Sequence, residues 1–177
     1  KSFVYLRMNK LLIISSVWVE PTSSAAGSRM LQLIRFFLSQ NYNIEYASTA
    51  TDSEFSFDLA DLGITTQFIQ LNDSSFDDYL QKMNPNLVLF DRFMVEEQFG
   101  WRVSNVLPNA IKILDTEDLH CLRKVRQEAI KTNTSFETLD FNSDIAKREI
   151  AAIFRCDLSL MVSDYEMDLL QNVFQVP

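Results

Sequence analysis

Asp115, Thr116, Glu117, Asp118, Leu119 and His120 follow the strand-like run Ala110–Leu114 and set three carboxylates beside the only histidine of the chain. Such groups can take a proton from a hydroxyl, orient one by accepting its hydrogen bond, or balance a cation. Their position just past the carboxyl end of a buried strand is where open α/β sheets bind ligands. Glu117 and Asp118 are therefore candidates for catalysis, and Asp115 and His120 for substrate contact. His120 comes three residues after Glu117, so a backbone already helical there puts both on one side. Taken alone, His120 equally fits a packed or solvent-facing helix position, and Asp115 fits a side-chain cap of the turn.

Three further groups could meet a ligand. Asp91 and Arg92 end the apolar run Asn86–Phe90, with Glu96 and Glu97 following, and sit on the same rim as the first cluster; they are either substrate contacts or members of an internal salt bridge. The loop Pro21–Arg29 carries small residues, among them Gly27 and Ser28, which let a backbone approach a phosphate at the helix start beyond. An ordinary tight loop has the same composition, and the G-x-G-x-x-G pattern of dinucleotide binders is not present. Arg29 is a cation near the start of a helix, unfavourable for the dipole, which points to a ligand or interdomain role. Arg123, with Lys124 and Arg126, forms a basic helix face that either attracts a phosphorylated group or is solvated. One histidine and scattered carboxylates make no recognisable metal-ligand set.

The elements that must hold these residues alternate along the chain. Leu11–Trp18 is a near-continuous apolar run, as in a strand covered on both faces. Met30, Leu33, Ile34, Phe37 and Leu38 recur with helical period. Asn43–Ser48 reads as a second strand, Phe55–Leu62 as a short helix stopped by Gly63, and Thr65–Leu71 as a third strand. A helix over Ser75–Met83 ends before Pro85, and Asn86–Phe90 makes a fourth strand. A helix bearing Phe99, Val103 and Val106 leads to the fifth strand, Ala110–Leu114. A basic helix follows from about Leu119 to Lys131, then a polar stretch, Thr132–Asn142, that is either a surface loop or a flap. Ser143–Arg155 is helical by period and Asp157–Val162 is a sixth strand. Ser163 with Glu166 forms a capping box for a last helix, Asp164–Val173. Strands separated by helices at this spacing predict a Rossmann-like three-layer α/β/α domain with a mainly parallel sheet.

Composition bounds the function. With 47% apolar residues and 14 Phe, the chain can bury a core as one domain. A net charge of −8 with scattered Lys and Arg argues against nucleic acid and against an anionic membrane surface. Cys121 and Cys156 show no paired spacing, consistent with reduced thiols in a cytoplasm. Met8–Val19 resembles a signal peptide, but Glu20-Pro21 closes the run and an amphipathic helix follows at once, as expected of a first buried strand. No run reaches the roughly 18 apolar residues of a membrane span. Met8 reads as the natural start, with residues Lys1–Arg7 an upstream extension.

Several pieces together resemble the N-terminal domain of family 4 glycosyltransferases: Leu11–Ser16, Ser23–Arg29, Asn86–Arg92, Ile113–His120 and Leu160–Glu166, in that order from Met8 to Pro177. The resemblance implies an acceptor-side domain over residues 8–177 of a two-domain enzyme of GT-B type. The donor-binding second domain, with most contacts to the nucleotide-sugar, lies outside this chain. It further implies transfer with retention, no cofactor beyond the nucleotide-sugar donor substrate, no metal, and little activity for the isolated chain. A sugar, lipid or protein would be the acceptor, with peripheral membrane contact open to the complete enzyme.

Two departures from the family pattern bear on the site. Ala25 and Ala26 stand where glycines are common, and Glu117-Asp118 stand where a His-Asp pair is common. An ionised glutamate only accepts hydrogen bonds, so Glu117 is expected to orient an acceptor hydroxyl or act as a weak base. Glu117→Ala and Arg29→Ala are expected to lower turnover without loss of fold. The alternatives are a non-catalytic sugar- or nucleotide-binding module, or half of a nucleotide-sugar epimerase. A receiver domain would need an acidic pair where the first strand ends in Val17-Trp18.

Overall fold

The computed structural model describes residues 9–134 and 141–177. The expected extension Lys1–Arg7, the start at Met8 and the centre of the polar stretch Thr132–Asn142 lie outside the described residues. Six strands, β1 (Lys10–Ser15), β2 (Asn43–Ser48), β3 (Thr65–Phe68), β4 (Leu87–Asp91), β5 (Ile111–Asp115) and β6 (Leu158–Leu160), pair in the order β3-β2-β1-β4-β5-β6. Every pairing is parallel. Among the described residues six helices connect or follow them: α1 (Ala25–Ser39), α2 (Ser75–Met83), α3 (Phe93–Val106), α4 (His120–Thr132), α5 (Asp144–Arg155) and α6 (Asp164–Asn172). The expected Rossmann-like three-layer domain is the fold observed.

Side-chain alternation along the central strands divides the core in two. Leu12 and Ile14 of β1, Val88 and Phe90 of β4, and Leu114 of β5 face one layer, with Phe76, Phe93, Phe99, Leu122, Ile153 and Leu170 from α2 to α6. Leu11, Ile13, Leu87, Leu89 and Ile113 face the other, where α1 supplies Met30, Leu31, Ile34 and Phe37. β1 and β4 are covered on both faces, which explains why their sequences run apolar without alternating. Among the described residues the layers are unequal, since five helices lie on the first side and α1 with one 3₁₀ turn, Leu59–Leu62, on the second. Beside α1 this leaves an open concavity of about 600 Å³ whose walls include Arg29, Leu33, Leu160, Met161 and Met167.

Several expected elements are shorter, for local reasons. β1 stops at Ser15, not Trp18, because the Ser15 hydroxyl accepts from the Val17 amide at 3.1 Å and bends the chain out of the sheet. Of the helix expected over Phe55–Leu62 only the last turn forms, capped by Asp58 on the Ala60 amide and closed by Gly63 at φ 71°. Phe55, which would have begun it, is exposed. β3 and β6 are edge strands, and each ends before the apolar run that suggested it. α2 has the expected bounds, Asn84 at φ 47° closing it before Pro85. Ser163 caps α6 by accepting from the Glu166 amide, but the other half of the capping box is not made: the Glu166 carboxylate accepts instead from the Leu119 amide at 3.0 Å.

Candidate functional site

The strand order reverses between β1 and β4, so the switch point of the sheet lies outside their carboxyl ends. Ser15 ends β1 and Asp91 ends β4, and their side chains meet there, the Ser15 hydroxyl donating to Asp91 Oδ2 at 2.5 Å. Both are buried, and Asp91 Oδ1 has no hydrogen-bond partner among the described residues. Burial pushes the Asp91 carboxyl up to about 6, against the pull of the Arg92 guanidinium. Ser15 was not singled out in the sequence, although a polar residue closing an otherwise apolar strand is a usable signal.

Arg92 is the most unusual residue of this rim. Its backbone lies at φ 73°, ψ 156°, a region essentially restricted to glycine, where another residue costs about 1–3 kcal/mol. The conformation is held by its amide, which donates to the Asp115 carbonyl at 2.8 Å. Its side chain turns to Glu117, donating from Nε to Oε2 at 2.8 Å, with Asp91 Oδ1 at 3.6 Å from the same nitrogen. Glu117 is itself left-handed, at φ 59°. The two ends of this ion pair thus both carry positive φ, on the neighbouring strand ends β4 and β5. Asp91 does contact Arg92, but the shorter bond is to Glu117; Glu96 and Glu97 belong elsewhere, paired with Arg155 and Arg148.

The left-handed turn at Glu117 also decides the fate of His120. α4 begins only at His120, so the helical spacing that would have brought it beside Glu117 does not exist. Its ring instead packs edge-on to Phe93, with Nδ1 at 3.4 Å from Glu149 Oε1. Glu149, on α5 and 1% exposed, accepts from the amides of His120 and Cys121, both at 2.9 Å. With Glu166 on the Leu119 amide, two carboxylates from α5 and α6 cap the start of α4. These amides are consequently closed to an outside anion. Glu149 was not found in the sequence, because its partners are nearly thirty residues away.

Asp115 does not cap its turn. It is fully buried and accepts from Arg29 Nε at 3.0 Å and Nη2 at 2.8 Å, so Arg29 is anchored within the domain. Asp118 pairs with Arg123 on the surface. Gly27 serves the chain itself: a Cβ there would stand 2.3 Å from the Glu20 carbonyl oxygen. Ser28 donates to the Pro21 carbonyl at 2.7 Å, so both hold the β1–α1 loop in place. Lys124 and Arg126 are exposed on α4, the latter over the Tyr165 ring.

The rim therefore gathers Asp91, Arg92, Asp115, Glu117 and Arg29 and leaves His120 with α5. Asp115 and Glu117 are tied to arginines and Asp91 is bonded to Ser15; Glu117, which stays partly exposed, is the one suited to orient a polar group. Burial also pushes the Cys156 thiol up to about 12 and the Cys121 thiol upward, so neither is a nucleophile near neutral pH. Among the described residues, no three His, Cys, Asp or Glu side chains are grouped to hold a metal ion, and no helix is long and apolar enough to cross a membrane.

No protein-family model and no curated protein matches this chain. Among solved structures it is similar to a sucrose-phosphate synthase from Thermosynechococcus elongatus, at 13% identity and a TM-score of 0.63. The match covers 93% of this chain and 45% of that one, so the chain spans less than half the length of its structural neighbour. An alpha-glucosyltransferase in complex with UDP and DNA is more distant, at 10% identity, a TM-score of 0.49, and 85% and 36% coverage. A putative epimerase from Burkholderia cenocepacia J2315 is at 12% identity, a TM-score of 0.45, and 83% and 48% coverage. At these identities the likeness to the synthase concerns the fold.

Proposed function

We propose that this chain is the acceptor-side domain of a glycosyltransferase, which moves a sugar from a nucleotide-sugar to an acceptor hydroxyl. The observation that carries the reading is the Arg92–Glu117 pair. Two residues are held in costly backbone conformations on the adjacent ends of β4 and β5, beside the switch point where this architecture takes its ligands. Family 4 motifs and the synthase-like fold agree with it. Glu117 then orients the acceptor hydroxyl, with Asp118, paired to Arg123, at the border of the site.

The donor diphosphate is assigned to a second domain, where positive groups and helix ends would stabilise the departing charge. Val17, Leu71, Met94 and Val162 stand exposed just beyond the carboxyl ends of β1, β3, β4 and β6. An apolar fringe of this kind supports a body facing the rim. Cytoplasmic placement and peripheral membrane contact of the complete enzyme belong to the same proposal.

The test is release of nucleoside diphosphate by the complete polypeptide from a panel of nucleotide-sugars and acceptors. Transfer is expected from the complete enzyme and not from these 177 residues alone, with Glu117→Ala lowering turnover about a hundredfold. Undiminished turnover in Glu117→Ala would remove the rim from the reaction.

A further inference from the structure

Each arginine of the rim and its border already has a carboxylate: Arg29 has Asp115, Arg92 has Glu117 and, at the border, Arg123 has Asp118. Asp91 is a fourth carboxylate, with the Arg92 Nε at 3.6 Å as its nearest cation. The rim is thus net negative whenever Asp91 is ionised, within a chain of net charge −8. An anionic group entering here would find no unmatched positive charge. The pairs are not equally used up, however. Arg29 commits both Nε and Nη2 to Asp115, whereas Arg92 commits only Nε. Among the described residues neither Nη of Arg92 donates a hydrogen bond and Glu117 Oε1 accepts none, and the two side chains remain 20% and 13% exposed.

A guanidinium with free donors fixed against a carboxylate with a free acceptor forms a neutral unit. It can give one hydrogen bond to a hydroxyl and take one from its neighbour. Phosphate offers acceptors only, and would meet Glu117 and Asp91 with like charge. We infer that the Arg92–Glu117 pair reads adjacent hydroxyls of an uncharged sugar, and that the acceptor side of this rim excludes phosphorylated sugars. The inference rests on the glycosyltransferase reading for calling that sugar the acceptor. The pair itself would bind it whether or not transfer occurs. Arg92 and Glu117 are its contact residues, with the Asp91 carboxylate, bonded to Ser15, at 3.6 Å from Arg92 Nε.

The experiment is saturation-transfer NMR on the 177-residue chain with a mixture of glucose, galactose, mannose and their 6-phosphates at about 10 mM each. Neutral sugars are expected to show transfer, with at least about tenfold weaker signals from the phosphates. Glu117→Gln keeps an acceptor for Arg92 Nε and removes the neutralising charge, so it should raise phosphate binding relative to neutral binding about tenfold. A merely structural role of Glu117 would not change that ratio. Arg92→Lys, which retains charge without the fork, should lose the neutral sugars, and Lys131→Gln in the exposed last turn of α4 should alter nothing. Melting curves identify any variant that has lost the fold.

Equal or stronger binding of phosphates by the unaltered chain overturns the inference. So does absence of transfer to every neutral sugar, or an unchanged ratio in folded Glu117→Gln. Neutral-sugar binding by the chain, together with no sugar transfer by the complete polypeptide, would leave this inference standing and remove the glycosyltransferase reading.

Discussion

Replacing Arg29 with methionine keeps an apolar stem of similar length but strands the fully buried Asp115 carboxylate without its cation. Breaking one side of such a pair costs about 3 kcal/mol or more, so Arg29→Met should lower the denaturation midpoint markedly. Read from the sequence, an Arg29 substitution should affect turnover alone; the Asp115 contact makes it a stability change, measurable by urea titration. Asp91 gives a pH signature. Burial raises its carboxyl from an ordinary 3.8 to about 6, so the native state holds this proton more tightly than the unfolded chain does. Its contribution to stability is full below about pH 4 and lost as pH rises through 6, amounting to about 3 kcal/mol. Urea midpoints of Asp91→Asn between pH 4 and 7 should show that part of the slope removed. Residue types marked the right rim in the sequence, but not which carboxylate each arginine would choose. That choice depends on left-handed turns at Arg92 and Glu117, and neither residue type announces one.

Helices and strands were legible wherever their local signals agreed. α2 carries both an amphipathic period and a stop at Asn84, and its expected and observed bounds coincide. Strand ends were harder to place, because apolar residues also continue into the loops, as Val17 and Trp18 do after β1. Trp18 finds its partners in the Tyr46 ring and the Ala50 carbonyl, contacts outside the strand ladder. The start of α4 is the clearest case of tertiary control, since its own N-cap position, Leu119, provides no side-chain bond. Glu149→Ala should leave the amides of His120 and Cys121 without an acceptor, at a cost of about 2–4 kcal/mol. Glu149→Gln, which preserves one acceptor oxygen, should cost less. Thermal melts give the totals, and amide exchange within α4 should show the loss concentrated there.

Across the whole molecule, the parallel sheet followed from the strand-helix alternation, and the deepest strands from their unbroken apolar runs. The unequal layers did not follow, because a helix's period tells which face it buries and not which side of the sheet it joins. Hydrogen exchange should reproduce this architecture. Amides of β1 and β4, bonded on both sides and covered on both faces, should exchange slowest, and those of the edge strands β3 and β6 much faster. Equal protection across all six strands would contradict the described sheet. Glu166, meanwhile, gives the double cap of α4 a meaning in time. During synthesis α4 leaves the ribosome well before the carboxylate that bonds Leu119, which lies 47 residues later. The nascent helix must therefore wait in two steps, its His120 and Cys121 amides open to water until Glu149 emerges and its Leu119 amide until Glu166 does; a slowing of translation between Thr132 and Glu166 would prolong the interval in which chaperones can reach it.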